Sequence, residues 1–302
     1  MPLDTPLHSI RIGTLVPGDK APKYITQTKK LGFESYELTF GPSAVDIDMA
    51  KHAKAVKKVL AGTDAIIGAI GVYANPLGDK EEDAKARQVW ENLIDNAAAF
   101  GTDVVCGFTG RVRGASIPDS IKQFKKVFGP LAKRAEDKGL RIAFENCDMG
   151  GNWHTGDWNI AHNPHAWELM FDAVDNLALG LEWEPCHQMA NLIDPMPQLR
   201  KWAKRIYHMH GKDATIKWDV VRESGIGGAR PFVFHRTPGF GDSNWTDIIS
   251  ELRQQGFKGC IDIEGWHDPV YREELEMTGQ VHALNYLKAC RGGSMFVPNP
   301  KS

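Results

Sequence analysis

The sequence lacks the features that mark membrane, secreted and nucleic-acid-binding proteins. No apolar run approaches the roughly 20 residues that cross a bilayer, and the opening stretch MPLDTPLHS has neither the basic nor the apolar part of a signal peptide. The formal net charge of −2 is far from the basic bias that is typical of nucleic-acid binding. These absences predict a cytoplasmic protein without a membrane or nucleic-acid partner.

Cysteine is present, but its distribution excludes two common uses. The five cysteines lie far apart and form no CxxC pair: Cys106, Cys147, Cys186, Cys260 and Cys290. An odd, scattered set argues against a disulfide framework and against a structural zinc knuckle.

Short apolar runs alternate along the chain with segments of helical period. The runs are 9–15, 35–40, 65–72, 103–108, 141–146, 177–184, 205–213 and 260–265. Helix candidates between them include 81–100, 120–139, 194–204 and 247–257, and several reach a glycine just before the next run. Eight such units predict an α/β fold, the (β/α)8 TIM barrel. The alternative, a doubly wound open sheet, usually carries a Gly-rich phosphate turn that TLVPGDKAP does not match.

We expect one barrel domain over residues 1–290 and a C-terminal tail over 291–302. Two connections that follow apolar runs are long, 147–164 and 212–245, and neither shows a clear helix of its own. Loops that follow the strands form the catalytic face of this kind of barrel. Both connections are therefore expected to border a functional site.

Polar side chains gather where the last four apolar runs end. In chain order they are Glu145, Glu182, Glu184, His208, His210, Asp262 and Glu264. Residues two apart point to the same side of a strand, so each of these runs can direct a carboxylate or an imidazole into the barrel mouth. A single acid at a strand end is more often solvated or salt-bridged than a ligand, and only the joint pattern predicts a site.

The joint pattern predicts one divalent metal ion held by Glu145, Glu184, His210 and Glu264. Three carboxylates and one imidazole suit Mn²⁺, with Mg²⁺, Co²⁺ and Zn²⁺ as alternatives. Such an ion polarises a carbonyl group, and a neighbouring carboxylate then moves a proton. The expected catalytic residues are Glu145, Glu264 and His187.

Behind these ligands we expect partners that hydrogen-bond and orient them, namely Glu182, His208 and Asp262. The alternative for the two histidines of the seventh run is that they simply line a polar barrel interior. Glu37, inside the run SYELTF, is expected to be a buried hydrogen-bonding residue of the barrel core.

At these residues the chain resembles the xylose isomerase-like superfamily, and within it the sugar phosphate isomerase/epimerase family. The stretches that carry the resemblance are FEN, EPCH, HMHGKD and DIEG, of which HMHGKD is the most specific. The resemblance covers essentially the whole chain. It implies a (β/α)8 barrel, a divalent metal on Glu145, Glu184, His210 and Glu264, and a substrate contact at His187. Glu184 stands where the family usually has Asp.

Two branches of that superfamily fit the sequence less well. The ketose 3-epimerase branch has a Glu and an Arg six residues beyond the fifth-strand and seventh-strand ligands, where this chain has Gly151 and Ile216. The AP-endonuclease branch has additional histidines for three zinc ions, and GVYANP and GFTG contain none. A simple ketohexose epimerase and a DNA-repair enzyme are therefore disfavoured.

The long connections and their surroundings supply candidate substrate contacts. These are Trp153, His154, Trp158, Lys212, Arg236 and Trp266. Indole rings stack on sugar faces and on aromatic aglycones, although the same tryptophans equally suit a cap on the barrel mouth or a subunit interface. No Gly-rich cradle accompanies the arginine, so a phosphorylated substrate is not favoured.

Three functions are compatible with these residues, all with a small-molecule carbohydrate as the ligand. The first is a metal-dependent isomerase or epimerase acting on a keto-sugar, an inosose or a related polyol through an enediolate. The second is a lyase that cleaves 3-keto-glycosides by elimination. The third is a non-catalytic sugar-binding subunit. A homo-oligomer or a complex with a different subunit stays open.

Overall fold

A computed structural model describes residues 8–265 and 267–300 of the chain. Ten strands lie in this part: β1 Arg11–Pro17, β2 Ser35–Phe40, β3 Ile66–Val72, β4 Val104–Gly107, β5 Arg141–Glu145, β6 Leu179–Trp183, β7 Ile206–Gly211, β8 Asp213–Ile216, β9 Val233–Arg236 and β10 Cys260–Ile263. Eight of them form a closed parallel barrel in the order β1-β10-β7-β6-β5-β4-β3-β2. This arrangement confirms the predicted (β/α)8 barrel.

Helices connect the barrel strands on the outside. They are α1 Ala21–Thr28, α2 Met49–Leu60, α3 Glu81–Phe100, α4 Ile117–Asp137, α5 Pro164–Ala173, α6 Pro185–Ala190, α7 Pro195–Trp202, α8 Trp218–Ser224, α9 Trp245–Gln254 and α10 Glu276–Cys290. The four helices predicted from the sequence are confirmed within a few residues as α3, α4, α7 and α9. Gly101 ends α3 with φ of 88°, a left-handed conformation that glycine adopts without a steric penalty.

An aromatic cluster behind β5 fixes the strand from which the first site residue projects. The ring of Phe144 lies 4.8 Å from that of Phe128 on α4, and Trp90 on α3 lies 5.4 Å from Phe128. All three side chains are fully buried. Because side chains alternate along a strand, a Phe144 that packs outward directs Glu145 into the barrel.

The second long connection differs from the expectation of a loop without a helix. β8 and β9 form an antiparallel two-stranded sheet, with Asp213 opposite Arg236, and the short helix α8 lies between them. The prediction that the seventh run continues to residue 213 was also imprecise, because β7 ends at Gly211 and β8 begins two residues later. The connection is thus a small folded unit at the mouth of the barrel.

The division into a barrel at 1–290 and a tail at 291–302 stays a prediction. At the boundary, Arg291 is fully buried, donates to the Ile10 carbonyl at 2.7 Å and pairs with Glu34. This contact fastens the start of the tail to the barrel. No helix in the described part of the chain is long and apolar enough to cross a membrane.

A buried ion pair joins the connections that follow β3 and β4. Asp83, in the first turn of α3, accepts bonds from both terminal nitrogens of Arg113 at 2.6 and 2.7 Å and from the backbone amide of Lys80 at 2.8 Å. Burial works to raise the pKa of Asp83, but the bonds from Arg113 and Lys80 outweigh burial and hold the pKa below its usual value. The folded state therefore gains stability from this carboxylate above its unfolded pKa.

We predict that Asp83→Asn lowers the free energy of unfolding at pH 7 by about 2 kcal/mol, because bonds to an ionised acceptor are lost. The difference from the wild type should disappear as the pH falls through the folded-state pKa of Asp83, where the wild-type carboxylate is also protonated. Denaturant unfolding from pH 7 down to about pH 2 measures this, because the folded-state pKa lies below the usual value of 3.8. Glu81→Gln, at an exposed position in the same helical turn, is the control and should leave stability nearly unchanged.

Candidate metal centre and cavity

A cavity of about 600 Å³ opens at the carboxyl ends of the barrel strands. The apolar lining residues include Leu15, Phe40, Phe108 and Met149, and we call them the apolar wall. The polar lining residues include Glu145, His187, His210, Lys212, Glu264 and His267, and we call them the polar wall. The volume lies in the range of pockets that bind small molecules, and the polar wall holds three of the side chains that the sequence placed at the late strand ends, Glu145, His210 and Glu264.

Glu145, His210 and Glu264 meet on the polar wall. The His210 Nδ1 atom lies 3.3 Å from Glu145 Oε1 and 3.3 Å from Glu264 Oε2, and one ligand atom of each residue lies within 4.8 Å of the others. Neither His210 Nδ1 nor Glu264 Oε2 meets a well-aligned hydrogen-bond partner within residues 8–265 and 267–300. Buried polar atoms without partners are costly, and a divalent cation between these three residues would satisfy them. The donor set therefore fits a metal ion.

The other side of the His210 ring faces a second pair of acids. Its Nε2 atom lies 3.0 Å from Glu37 Oε2 and 3.2 Å from Glu182 Oε1. The Tyr73 hydroxyl lies between these acids, 2.8 Å from Glu182 Oε2 and in hydrogen-bond contact with Glu37 Oε1. Burial works to lower the pKa of His210, but the charges of Glu182 and Glu37 raise it well above its usual range, so both ring nitrogens carry a proton when no metal is bound. Because Nε2 donates to these acids, a metal ion would replace the proton on Nδ1. Glu37 and Tyr73 thus select the ring nitrogen that faces the cavity.

Burial and mutual charge give these acids different pKa values. Burial works to raise the pKa of Glu37, but the charge of His210 and the hydrogen bonds of both histidines outweigh it and lower the pKa. Burial and the charge of Glu37 raise the pKa of Glu182 to about 7. Burial works to lower the pKa of His208, but bonds to Asp262 and Glu37 raise it to about 10. Glu37 is thus the ionised acid at the centre of the group.

The polar wall also contains an ammonium group. Lys212 Nζ donates to Glu264 Oε1 at 2.8 Å and lies 3.2 Å from His187 Nε2. Burial works to raise the pKa of Glu264, but the charge of Lys212 and the close contacts with His210 and His267 hold it well below its usual range. Burial and the charge of Lys212 lower the pKa of His187, which is therefore neutral.

The structure places Glu184 behind His187 rather than beside His210. Glu184 Oε1 lies 3.1 Å from His187 Nε2, and Glu184 belongs to none of the three close-set groups of ligand atoms among the described residues. Its backbone is held by Asn146, which accepts from the Glu184 amide at 2.8 Å and donates to its carbonyl at 3.1 Å. Burial raises the pKa of this carboxyl well above its usual range. A metal-ligand role for Glu184 stays a prediction.

The predicted orienting residues lie where the sequence placed them, below the ligands inside the barrel. Glu182, His208 and Asp262 are buried, and His208 Nε2 lies 3.1 Å from Glu37 and 3.2 Å from Asp262. The prediction that Glu37 is a buried hydrogen-bonding residue is confirmed. Its link to His210 was not predicted, although its position on the inward side of SYELTF was a usable signal.

Most of the predicted loop contacts lie away from the cavity lining. Trp153 packs edge-on against His165 with ring centroids 6.4 Å apart, and Trp158 is 42% exposed. His154 is exposed, and Arg236 donates to Asp268 at 3.0 Å. Trp266 lies outside the described residues. Five of the six predicted contacts lie in the described part of the chain, and of these five Lys212 alone lines the cavity.

Several lining residues were not among the predicted site residues, and three of them lie close to the candidate ligands in the cavity lining. Tyr73 comes directly after β3, Cys147 lies two residues beyond Glu145, and His235 lies on β9. The two-residue spacing from Glu145 was a usable signal for the cysteine. The histidine reaches the cavity only because β9 folds back on β8, which the sequence did not indicate.

Comparison with known proteins assigns the family. Residues 25–290 match the family model described as a xylose isomerase-like TIM barrel, so the chain belongs to that family and the predicted resemblance is confirmed. The fold is similar to that of a xylose isomerase domain protein from Planctomyces limnophilus, at 18% identity and a TM-score of 0.70, with 93% of this chain and 97% of that chain covered. It is also similar to the 3-keto-D-glucoside 4-epimerase YcjR from E. coli, at 14% identity and a TM-score of 0.68, with 93% and 100% covered.

In sequence, the chain is 25% identical to an inosose dehydratase from Clostridium perfringens over 162 residues. The match covers 52% of this chain and 50% of that protein, so the chain spans about half the length of this curated relative.

We predict that Glu37→Gln lowers the free energy of unfolding by about 3–5 kcal/mol, because two buried imidazoles lose their shared carboxylate. Urea unfolding in the presence of a chelator measures this without a contribution from bound metal. Glu168→Gln, which removes an exposed partner of Lys201, is the matched control and should change stability little. Equal stability of the two variants would show that the buried group contributes nothing to folding.

Proposed function

We propose that this protein is a metal-dependent isomerase or epimerase that acts on a keto-sugar, an inosose or a related polyol by moving a proton on a carbon next to a ketone. The observation that carries this proposal is the pair of carboxylates, Glu145 and Glu264, each 3.3 Å from the same nitrogen of His210 on the cavity wall. Together the three residues would hold one divalent ion, for which Mn²⁺ is our expectation. Bound there, such an ion supplies positive charge that acidifies a hydrogen next to a carbonyl.

The two carboxylates both lie next to Nδ1 of His210, and we place the reacting carbon between them. One carboxylate takes the carbon-bound proton onto an Oε atom, and the substrate becomes an enolate. Inversion requires the other residue to start as the carboxylic acid, which gives its proton to the opposite face of that carbon and becomes the carboxylate. Delivery of the abstracted proton to the neighbouring carbon, with a proton shift between the two substrate oxygens, instead isomerises the substrate.

Neighbouring groups prepare these carboxylates for proton transfer. Lys212 keeps Glu264 ionised through the bond at 2.8 Å, and its ammonium group stabilises negative charge on the enolate. His187, neutral and on the same wall, is suited to hydrogen-bond a substrate hydroxyl.

The names of two relatives support chemistry next to a ketone. The substrate of a 3-keto-D-glucoside 4-epimerase carries a ketone at carbon 3, and the enzyme inverts the neighbouring carbon 4. An inosose is a ketone of a cyclic polyol, and the relative of that name removes water from it. Abstraction of a proton beside the carbonyl is a step that both reactions can share.

The apolar wall favours a second candidate, a lyase that cleaves 3-keto-glycosides by elimination. Leu15, Phe40, Phe108 and Met149 offer more apolar surface than a polyol can use, and an aromatic aglycone would fill it. Elimination starts from the same enolate and then expels the aglycone oxygen or carbon. His187 lines the cavity and His154 does not, so His187 is the candidate that hydrogen-bonds the leaving group. The proton that the carboxylate removed from the substrate would pass to the departing oxygen or carbon.

We predict that Glu145→Gln and Glu264→Gln each slow solvent deuterium exchange into the substrate about 10²–10⁴-fold, because an amide cannot accept the proton. NMR in D₂O, over a panel of ketoses, inososes and 3-keto-glucosides with saturating Mn²⁺, measures the exchange. Bound Mn²⁺ is measured in parallel, and Glu168→Gln serves as an exposed control. Exchange at the wild-type rate in either metal-loaded variant would remove that residue from the mechanism.

If the lyase assignment is correct, a 3-keto-glucoside with an aromatic aglycone releases that aglycone. Phe108→Ala should then raise KM roughly 10-fold for the aromatic glycoside, since one large apolar contact contributes about 1–3 kcal/mol. The same variant should leave KM for the methyl glycoside almost unchanged. Chromatographic detection of the aglycone distinguishes the two candidates, because an epimerase returns the glycoside intact.

A further inference from the structure

A second imidazole, that of His187, lies on the polar wall. Its Nε2 atom accepts from Lys212 Nζ at 3.2 Å and lies 3.1 Å from Glu184 Oε1. Its Nδ1 atom is buried and meets no hydrogen-bond partner within the described residues, as is also true of Nδ1 in His210. A buried polar atom without a partner is costly, and a cation that replaces the Nδ1 proton would satisfy it, with the ring proton then on Nε2 toward Glu184.

The side chains next to His187 include two further ligand types. Glu145, Cys147 and His187 each offer one ligand atom, and the three atoms lie within 4.8 Å of one another. Cys147 is a free thiol that is 8% exposed and lines the cavity. Thiolate and imidazole are ligands that Zn²⁺ and other thiophilic ions prefer, whereas Mn²⁺ and Mg²⁺ prefer oxygen.

We propose that Glu145, Cys147 and His187 form a second cation site, selective for thiophilic ions such as Zn²⁺ and Cd²⁺. The site shares Glu145 with the group of His210 and Glu264. On binding, the sulfur–hydrogen bond breaks, the proton passes to solvent, and a sulfur–metal bond forms. An ion at this position occupies the substrate cavity and ties up a proposed catalytic carboxylate, so thiophilic ions inhibit the enzyme.

Lys212 sets a limit on the affinity of this second site. Its ammonium group lies 3.2 Å from His187 Nε2 and opposes a nearby cation. The same ammonium group is paired with Glu264 at 2.8 Å, which offsets part of its charge. The second site is therefore expected to fill after the site at His210.

The experiment is a titration of the metal-free full-length protein with Cd²⁺, followed by equilibrium dialysis and ultraviolet absorbance. Thiolate-to-cadmium charge transfer reports cysteine ligation directly and needs no enzyme assay. Wild type should bind two Cd²⁺ per chain and show the charge-transfer band. Cys147→Ser should bind one Cd²⁺ and lose the band, and Cys147→Ala should do the same if serine disturbs folding. Cys290→Ser, at the end of α10, is the matched control and should keep both ions and the band.

Two results would overturn the proposal: a wild type without the charge-transfer band, or a band that persists in folded Cys147→Ser. A third variant separates this question from the proposed function. His210→Ala removes the imidazole of the first site and should keep the band. If enolisation is absent and the band is present, the result contradicts only the proposed function. If the band is absent and deuterium exchange in Mn²⁺ is normal, the result contradicts only the second site.

Discussion

The orientation of the His210 ring is the constraint on which the candidate site depends. A buried imidazole with acids on both sides has two possible directions for its lone pair, and only one of them faces the cavity. Glu37 and Glu182 occupy the Nε2 side at 3.0 and 3.2 Å, and this leaves Nδ1 toward Glu145 and Glu264. Without the inner pair of acids, the ring has no reason to present that nitrogen to a metal.

Maintaining this orientation requires charged groups in the interior of a barrel, where packed apolar layers are usual. Buried charges are tolerated when they are paired and hydrogen-bonded, and here the pairing crosses the barrel. Ser35 on β2 bonds Asp262 on β10, which lies 3.2 Å from His208 on β7, and His208 lies 3.1 Å from Glu37 on β2. Polar contacts therefore connect three strands, while the aromatic cluster around Phe144 supplies the apolar packing outside.

The sequence predicted the barrel, and it predicted which polar residues stand at the ends of the late strands, because both follow from local pattern. Buried apolar runs and period-two spacing fix the strands and the inward side chains. The pattern did not show which inward residues touch, since Glu37 and His208 are 171 residues apart and meet only through barrel closure. Spacing alone also placed Glu182 and Glu184 on one side, and depth along the strand puts the first against His210 and the second against His187.

The two cavity walls come largely from different parts of the chain, and under the proposed function this division has a chemical consequence. Leu15, Phe40 and Phe108 of the apolar wall come from β1, β2 and the end of β4, and Met149 comes from the connection after β5, whereas the acids and imidazoles come from β5 onward. The groups proposed to move protons are thus mostly separate from those proposed to contact the unreactive part of a substrate. Binding energy from that remote part could then support the reaction without disturbing the carboxylates. On this proposal, a change in the apolar wall alters which substrate is accepted, while Glu145 continues to determine which bond is broken.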